Sequence, residues 1–329
     1  MAQTFGAIRR ALPGDPCYRF AMFTVPLPDA ARQNWVDRHA PEGLKPWLKL
    51  GRFDRPIGIW LLLLPGWQGI ALALAQYRKL PGAYDVWLFV GFALGACLMR
   101  AAGCAFNDIV DRDIDTKVAR TAGRPIPSGR ISVKQAWGFI VGCSLASLLI
   151  LLTLPTTAIL LGVASLALVA AYPFMKRITW WPQAWLGLVF TWGAPVGWVA
   201  MRSDRLDAMA ALYIGSIFWC VGYDTIYALQ DREDDALVGI RSSALRLGDN
   251  VQAGVMAFYC LALTGWGVAF WLLREDWVAL AALVPAAAHL MWQAFTLDPA
   301  DADNPLARFR SNRFAGLLVA AACLVAGNA

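Results

Sequence analysis

With 329 residues, 58% of them hydrophobic and only 16% charged, and a mean hydropathy of +0.49, the chain lies outside the range of soluble globular proteins, in which about one quarter of side chains are charged. Composition places it among polytopic helical membrane proteins, so its net charge of +6 reads as a topological signal, with a lipid bilayer and no nucleic acid as the expected partner. The seven cysteines (Cys17, Cys97, Cys104, Cys143, Cys220, Cys260 and Cys323) form no Cys-x-x-Cys, and His39 and His289 stand far apart, which argues against a disulfide framework, a zinc site or a histidine metal centre.

Residues 1–50 are Pro-rich and basic, with no apolar run long enough to cross a bilayer. Arg9, Arg10 and Arg19 suit a mitochondrial transit peptide, but Asp15, Asp29 and the early prolines do not, and the segment is read as a cytoplasmic tail. Residues 51–329 are read as one all-α transmembrane domain. Apolar stretches of about 20 residues predict nine spans: Ile57–Gln76, Asp85–Phe106, Lys134–Thr153, Thr156–Tyr172, Gln183–Met201, Ala208–Leu229, Val251–Leu273, Trp277–Leu297 and Phe314–Gly327. Pro65, Pro195 and Pro285 lie inside spans and are expected to kink them. Trp87, Trp180, Trp181 and Trp277 sit at segment ends, where an interfacial aromatic belt forms.

The Lys and Arg residues are divided unequally. The N-terminal tail and the loops at 107–134, 176–177, 230–250 and 298–313 carry 23, the opposite side carries 5, and Arg100 lies inside the second span. This places the tail and the large loops in the cytoplasm.

The first of those loops opens with Asn107-Asp108-Ile109-Val110-Asp111-Arg112-Asp113-Ile114-Asp115. Continued as helix at about 100° per residue, Asn107, Asp111 and Asp115 fall at roughly 0°, 40° and 80°, Asp108 joins them at about 100°, and Asp113 points away at about 240°. Packing does not require carboxylates to share one arc at a membrane edge, and mutual repulsion opposes it unless cations sit there. A second loop carries Asp231-Arg232-Glu233-Asp234-Asp235, with Tyr227 at the position of Asn107 and Asp224 two turns deeper. The repeated motif suggests a parallel duplication of a four-helix unit, followed by a ninth helix. Carboxylates at i and i+4 suit a hard cation, and Mg2+ is commonly shared between protein acids and substrate phosphate. Two Asp pairs therefore suggest two metals bridged by a diphosphate. Asn107, Asp108, Asp111, Asp115, Asp231 and Asp235 are the candidate metal ligands, while Asp113, Glu233 and Asp234 read as solvated surface. Lys117, Arg120 and Arg124, in a Gly- and Pro-bearing loop, suit the diphosphate, and the intramembrane Arg100 suits a polar cavity.

Several stretches together resemble the UbiA superfamily of membrane prenyltransferases, and within it the members that prenylate 4-hydroxybenzoate. Besides the two Asp motifs, these are Arg52-Phe-Asp-Arg55-Pro-Ile-Gly58, Met99-Arg-Ala-Ala-Gly-Cys104, Arg120-Thr-Ala-Gly-Arg-Pro-Ile-Pro-Ser-Gly129, Tyr172-Pro-Phe-Met-Lys-Arg177 and Tyr223-Asp-Thr-Ile-Tyr-Ala-Leu-Gln-Asp-Arg-Glu-Asp-Asp235. Gln230-Asp-Arg-Glu-Asp departs slightly from the family's Val-Asp-Arg-Asp-Asp but keeps the spacing of the acids. The resemblance implies nine helices around a central cavity, Mg2+ dependence, a polyprenyl diphosphate donor and alkylation of 4-hydroxybenzoate ortho to its hydroxyl in ubiquinone biosynthesis. It also implies a catalytic role for Arg177 beside the acids Asp111, Asp115, Asp231 and Asp235. Substrate-binding roles fall to Arg55, Arg100, Lys117, Arg124, Lys176, Tyr227 and Asp224, with Arg55 or Arg177 on the acceptor carboxylate and Asp224 or the released diphosphate as base. The expected membrane is the bacterial inner membrane, or the mitochondrial inner membrane in a eukaryote. Homogentisate or a naphthoate is the alternative acceptor. A transporter is disfavoured, since no inverted repeat or midplane break is evident.

Overall fold

The structure, a computed structural model, describes residues 34–77, 82–116, 121–232, 239, 241–301 and 303–328. Among these residues all regular structure is helical. In chain order the helices are α1 (Trp35–His39), α2 (Lys45–Leu50), α3 (Ile57–Tyr77), α4 (Ala83–Val110), α5 (Arg112–Asp115), α6 (Val133–Leu151), α7 (Thr156–Ile178), α8 (Pro182–Phe190), α9 (Gly193–Ala200), α10 (Leu206–Ala228), α11 (Ser243–Leu247), α12 (Val251–Arg274), α13 (Trp277–Ala281), α14 (Val284–Phe295) and α15 (Asn304–Asn328). Short 3-10 turns follow α10 at Leu229–Asp231 and α11 at Gly248–Asn250.

Eight helical stretches among the described residues are long and apolar enough to cross a membrane. The predicted span Gln183–Met201 is instead two short helices, α8 and α9, parted at Thr191 and Trp192. Pro195 stands in the first turn of α9, where its missing N–H has no helical partner to lose, so the proline marks a new start rather than a kink. Pro285 does the same at the start of α14, whereas Pro65 stays inside α3. The last helix begins at Asn304, ahead of the predicted Phe314, so Arg308, Arg310 and Arg313 lie on α15 rather than in a loop. Hydropathy does not register that polar first stretch. The Asn304 side chain fastens it by donating to the Thr296 carbonyl (3.0 Å) and accepting from the Asp298 N–H (3.1 Å).

Chain contacts divide the protein into two compact units, one comprising the described residues of 1–56 with Ala101–Cys143, the other Ile57–Arg100 with Ser144–Ala329. In the first unit α1 and α2 occupy part of the predicted tail. Leu50, Ala105, Ile109, Ile126, Ile131 and Ala136 form its small core, with the Trp47 and Phe139 rings 5.8 Å apart beside it.

The second unit packs around fully buried Trp198, Trp219, Trp266, Tyr259 and Phe270. The crossing of α10 on α12 is close: a Cβ added at Gly265 would stand 2.7 Å from the Gly215 Cα, so the two backbones meet only because both positions are glycine. A buried polar network ties α10 to its neighbours. Trp219 Nε1 donates to Asn312 Oδ1 (2.8 Å), while Asn312 Nδ2 (2.8 Å) and the Tyr259 hydroxyl (2.9 Å) both donate to Gln293 Oε1. Indole donors of Trp185 and Trp192 bind the Leu168 and Leu161 carbonyls of α7, each at 2.9 Å, and so secure the two half-helices. By contrast α6 and α7 leave Val141, Leu145, Leu149, Leu160 and Leu166 exposed, as helices that face lipid do.

Candidate active site

The first acidic motif sits where α4 ends. The Asp111 N–H donates to the Asn107 carbonyl (2.9 Å) and the Asp115 N–H to the Asp111 carbonyl (2.8 Å), so helical bonding continues through the turn between α4 and α5. That continuity brings Asn107 Nδ2 to Asp111 Oδ2 at 3.1 Å. Asp108, Asp111 and Asp115 are all buried, whereas Asp113 is exposed, with Arg112 as a loose partner at 3.5 Å.

Basic side chains converge on these acids. Arg124 Nη1 bonds Asp115 Oδ2 at 2.7 Å and reaches Asp108 Oδ1 at 3.3 Å, while Arg52 Nη2 bonds the same Asp108 oxygen at 2.6 Å. The 121–131 segment that carries Arg124 is held by its own turns: Arg124 N–H to the Thr121 carbonyl (2.9 Å), Ser128 N–H to the Arg124 carbonyl (3.0 Å) and Ile131 N–H to the Pro125 carbonyl (3.1 Å). The Thr121 hydroxyl donates to the Asp115 carbonyl at 2.9 Å and closes the loop onto the motif. Burial, above all, raises the Asp115 carboxyl above the usual carboxylate range; the Asp108 and Asp111 charges add to this and Arg124 opposes it. Arg55 Nη2 lies 3.2 Å from Asp54 Oδ2.

In the second unit, Arg100 places its guanidinium 5.4 Å from the centre of the Phe190 ring, at the end of α8. Gly58 makes room for it: a Cβ there would stand 2.6 Å from Arg100 Nε and 2.8 Å from Nη2. Arg100 and Asp231 are the charges that act on the half-buried Asp224 of α10. Asp231 itself lies in the 3-10 turn after α10, which advances about 120° per residue, so the helical arc drawn for the first motif does not carry over to the second. Tyr227 packs its ring 4.6 Å from that of Phe309. Arg177 is exposed in the last turn of α7. Asp235, Lys117, Arg120 and the side chain of Lys176 lie outside the described residues.

Three residues to which the sequence assigns no role contact candidate residues or their neighbours: Arg52, Gly58 and Arg241. Arg241 Nη1 donates to the Ile178 carbonyl at 2.8 Å and stacks over Trp180 at 5.5 Å, which anchors the α7 terminus that bears Arg177. Arg52 and Gly58 bracket the Arg52–Gly58 stretch already singled out, so a signal existed without a mechanism.

Among the described residues no three His, Cys, Asp or Glu side chains gather closely enough to cage a metal ion by themselves. The first motif nevertheless suits Mg2+, which keeps several waters and takes one or two carboxylates plus phosphate oxygens. Asp111 and Asp115 offer hard oxygen donors on adjoining turns, and the crowding of carboxylates around Asp115 favours an added cation.

Comparison with known proteins adds an independent line. A model of the UbiA prenyltransferase family matches residues 62–322. The human mitochondrial 4-hydroxybenzoate polyprenyltransferase is 43% identical over 282 residues, covering 85% of this chain and 75% of that protein. The Arabidopsis thaliana counterpart is 41% identical over 293 residues, covering 87% and 70%. Among solved structures, the apo UbiA homolog from Aeropyrum pernix K1 superposes with a TM-score of 0.67 at 25% identity, covering 81% of this chain and 97% of that one. An Archaeoglobus fulgidus UbiA homolog bound to GPP and Mg2+ gives 0.63 at 16% identity, covering 86% and 100%.

Proposed function

This chain belongs to the UbiA prenyltransferase family, and from that premise we propose that it transfers a polyprenyl group from polyprenyl diphosphate to 4-hydroxybenzoate, ortho to the hydroxyl, in ubiquinone biosynthesis. The observation that carries this reading is the buried acidic arc of Asp111 and Asp115 braced by Arg124, in a chain 41–43% identical to 4-hydroxybenzoate polyprenyltransferases.

Asn107, Asp111 and Asp115 in the first motif, and Asp231 and Asp235 in the second, are the residues that would hold Mg2+. Bound there, Mg2+ supplies positive charge that neutralises the diphosphate oxygens as the allylic C–O bond breaks. Arg124 and Lys117 donate charge-assisted hydrogen bonds to the departing diphosphate. Bond cleavage leaves an allylic cation, and the apolar helices around it keep water from capturing it. The ring carbon ortho to the hydroxyl attacks, the new C–C bond forms, and the ring proton passes to a base, either Asp224 or the released diphosphate. Arg55 or Arg177 holds the acceptor carboxylate, Lys176 contributes to substrate binding, and Arg100 and Tyr227 line the polar part of the substrate path. The prenyl tail extends into lipid, because tens of carbons exceed an ordinary pocket of about 300–1,000 Å3. The acidic motifs face the cytoplasm of a bacterial inner membrane, or the matrix side in a mitochondrion.

The test is incubation of membranes carrying the protein with radiolabelled prenyl diphosphate, Mg2+ and 4-hydroxybenzoate. A lipid-soluble labelled product that disappears with EDTA and returns with Mg2+ is the expected result. Product formed only with homogentisate or a naphthoate would reassign the acceptor, and none with any phenol would defeat the reading.

A further inference from the structure

Helix α2 ends in an unusual way. The Arg52 N–H bonds the Lys49 carbonyl (3.1 Å) and the Phe53 N–H bonds the Leu48 carbonyl (2.9 Å), the paired closure of a Schellman turn. The residue that closes such a turn adopts a left-handed backbone and is usually glycine. Here it is Arg52, at φ 59°. A side chain at this position is disfavoured on backbone grounds alone, so the presence of an arginine here directs attention to what its side chain meets.

The Arg52 side chain is buried and ends on Asp108, with Nη2 2.6 Å from Oδ1. Asp108 is fully buried, and the same Oδ1 receives Arg124 Nη1 at 3.3 Å. Arg124 Nη1 then reaches Asp115 Oδ2 at 2.7 Å. The order is Arg52, Asp108, Arg124, Asp115, with charges alternating in sign and summing to zero. Asp108 Oδ2 is buried without a hydrogen-bond partner among the described residues. An acid whose one engaged oxygen carries two guanidinium groups is poorly disposed to bind a cation as well.

We propose that Arg52 and Asp108 are positioning residues: they fix the guanidinium of Arg124 against the acidic arc, and through it set the grip on the substrate diphosphate. This assigns Asp108 a different role from the metal ligand expected from the sequence. The proposal rests on the diphosphate-transfer reading of the site.

The variants are Arg52→Gly, Arg52→Lys, Asp108→Asn and Arg124→Ala, each in the full-length protein in lipid nanodiscs. Arg52→Gly suits the left-handed turn and keeps the fold while removing the guanidinium. It should lower kcat/KM for the prenyl diphosphate on the order of 10²-fold, leave KM for 4-hydroxybenzoate unchanged, and weaken equilibrium binding of inorganic diphosphate measured with Mg2+ and no acceptor. Arg52→Lys should restore part of both. Because Arg52 acts through Arg124, Arg52→Gly combined with Arg124→Ala should be no worse than Arg124→Ala alone. Calorimetric titration with Mg2+ alone should give Asp108→Asn an affinity close to wild type, since a lost ligand would weaken it strongly.

Wild-type diphosphate binding with Arg52→Gly would overturn the proposal, as would multiplying losses in the double variant or loss of Mg2+ affinity in Asp108→Asn. Should Arg52→Gly fail to fold, Arg52→Lys and Asp108→Asn decide by the same binding readouts. A wild-type protein that forms no prenylated product would instead defeat the underlying reading, a separate outcome.

Discussion

A methyl group at Gly58 is the sharpest perturbation the structure offers. The Cβ of Gly58→Ala would stand 2.6 Å from Arg100 Nε, about 0.8 Å inside the 3.4 Å at which ordinary contact begins. The obstructed atoms belong to the end of a long side chain, so Arg100 swings away rather than the helices parting. Alanine gains up to about 1 kcal/mol of helix propensity over glycine, less in a first turn, and loosening the Arg100–Phe190 contact forfeits about 0.5–2 kcal/mol. These nearly cancel, so stability should stay within about 1 kcal/mol of wild type. Activity has no such offset under the substrate-binding role proposed for Arg100: a displacement near 1 Å of a group that orients substrate costs on the order of 10²-fold in rate, or about 2.7 kcal/mol of transition-state stabilisation. Initial rates in nanodiscs at saturating 4-hydroxybenzoate, with tryptophan-monitored melting beside them, separate the two quantities. A Gly58→Ala protein with wild-type kcat/KM would show that the position of Arg100 does not matter to the reaction. A large fall in Tm would show that the helices, and not the arginine, gave way.

Asp111→Ala and Asp231→Ala should each lower turnover on the order of 10³-fold or more while membrane insertion is retained; near-normal activity in either would remove the paired-motif metal scheme. Arg177→Ala should impair use of 4-hydroxybenzoate more than binding of the prenyl diphosphate, seen as a rise in acceptor KM or a fall in kcat, and unchanged kinetics would take Arg177 out of the site. Asn312→Leu deprives the Trp219 indole of its acceptor in the buried network of α10, α12, α14 and α15, at a cost of about 1–3 kcal/mol. Melting in detergent should register that loss, and an unchanged Tm would mean the network adds no stability.

How much of this was legible beforehand follows the range of the interactions. Long apolar stretches announce spanning helices, and Asn107, Asp111 and Asp115 announce one face because i and i+4 neighbours are local. Where local geometry changes, the reading weakens: Pro195 reads as a kink when it opens a new helix, and Asp231 reads as helical when it lies in a 3-10 turn. Polar first turns are invisible to hydropathy, so the sequence predicts the last helix from Phe314 where α15 begins at Asn304. The pairing of Arg52 with Asp108, 56 residues away, and the room that Gly58 leaves for Arg100 have no periodic signature at all. They depend on how separate segments pack, and the sequence marks the stretch that contains Arg52 and Gly58 without saying what either residue meets.

Mass spectrometry of the reaction product tests most directly the chemistry proposed for the acidic motifs. Purified protein given a prenyl diphosphate of known chain length, Mg2+ and 4-hydroxybenzoate should yield the acceptor mass plus a single prenyl group less one hydrogen, with fragmentation placing the new C–C bond ortho to the hydroxyl and diphosphate released in equal amount. An ester or ether of the acceptor, free prenyl alcohol as the sole product, or unchanged substrates under these conditions would contradict it.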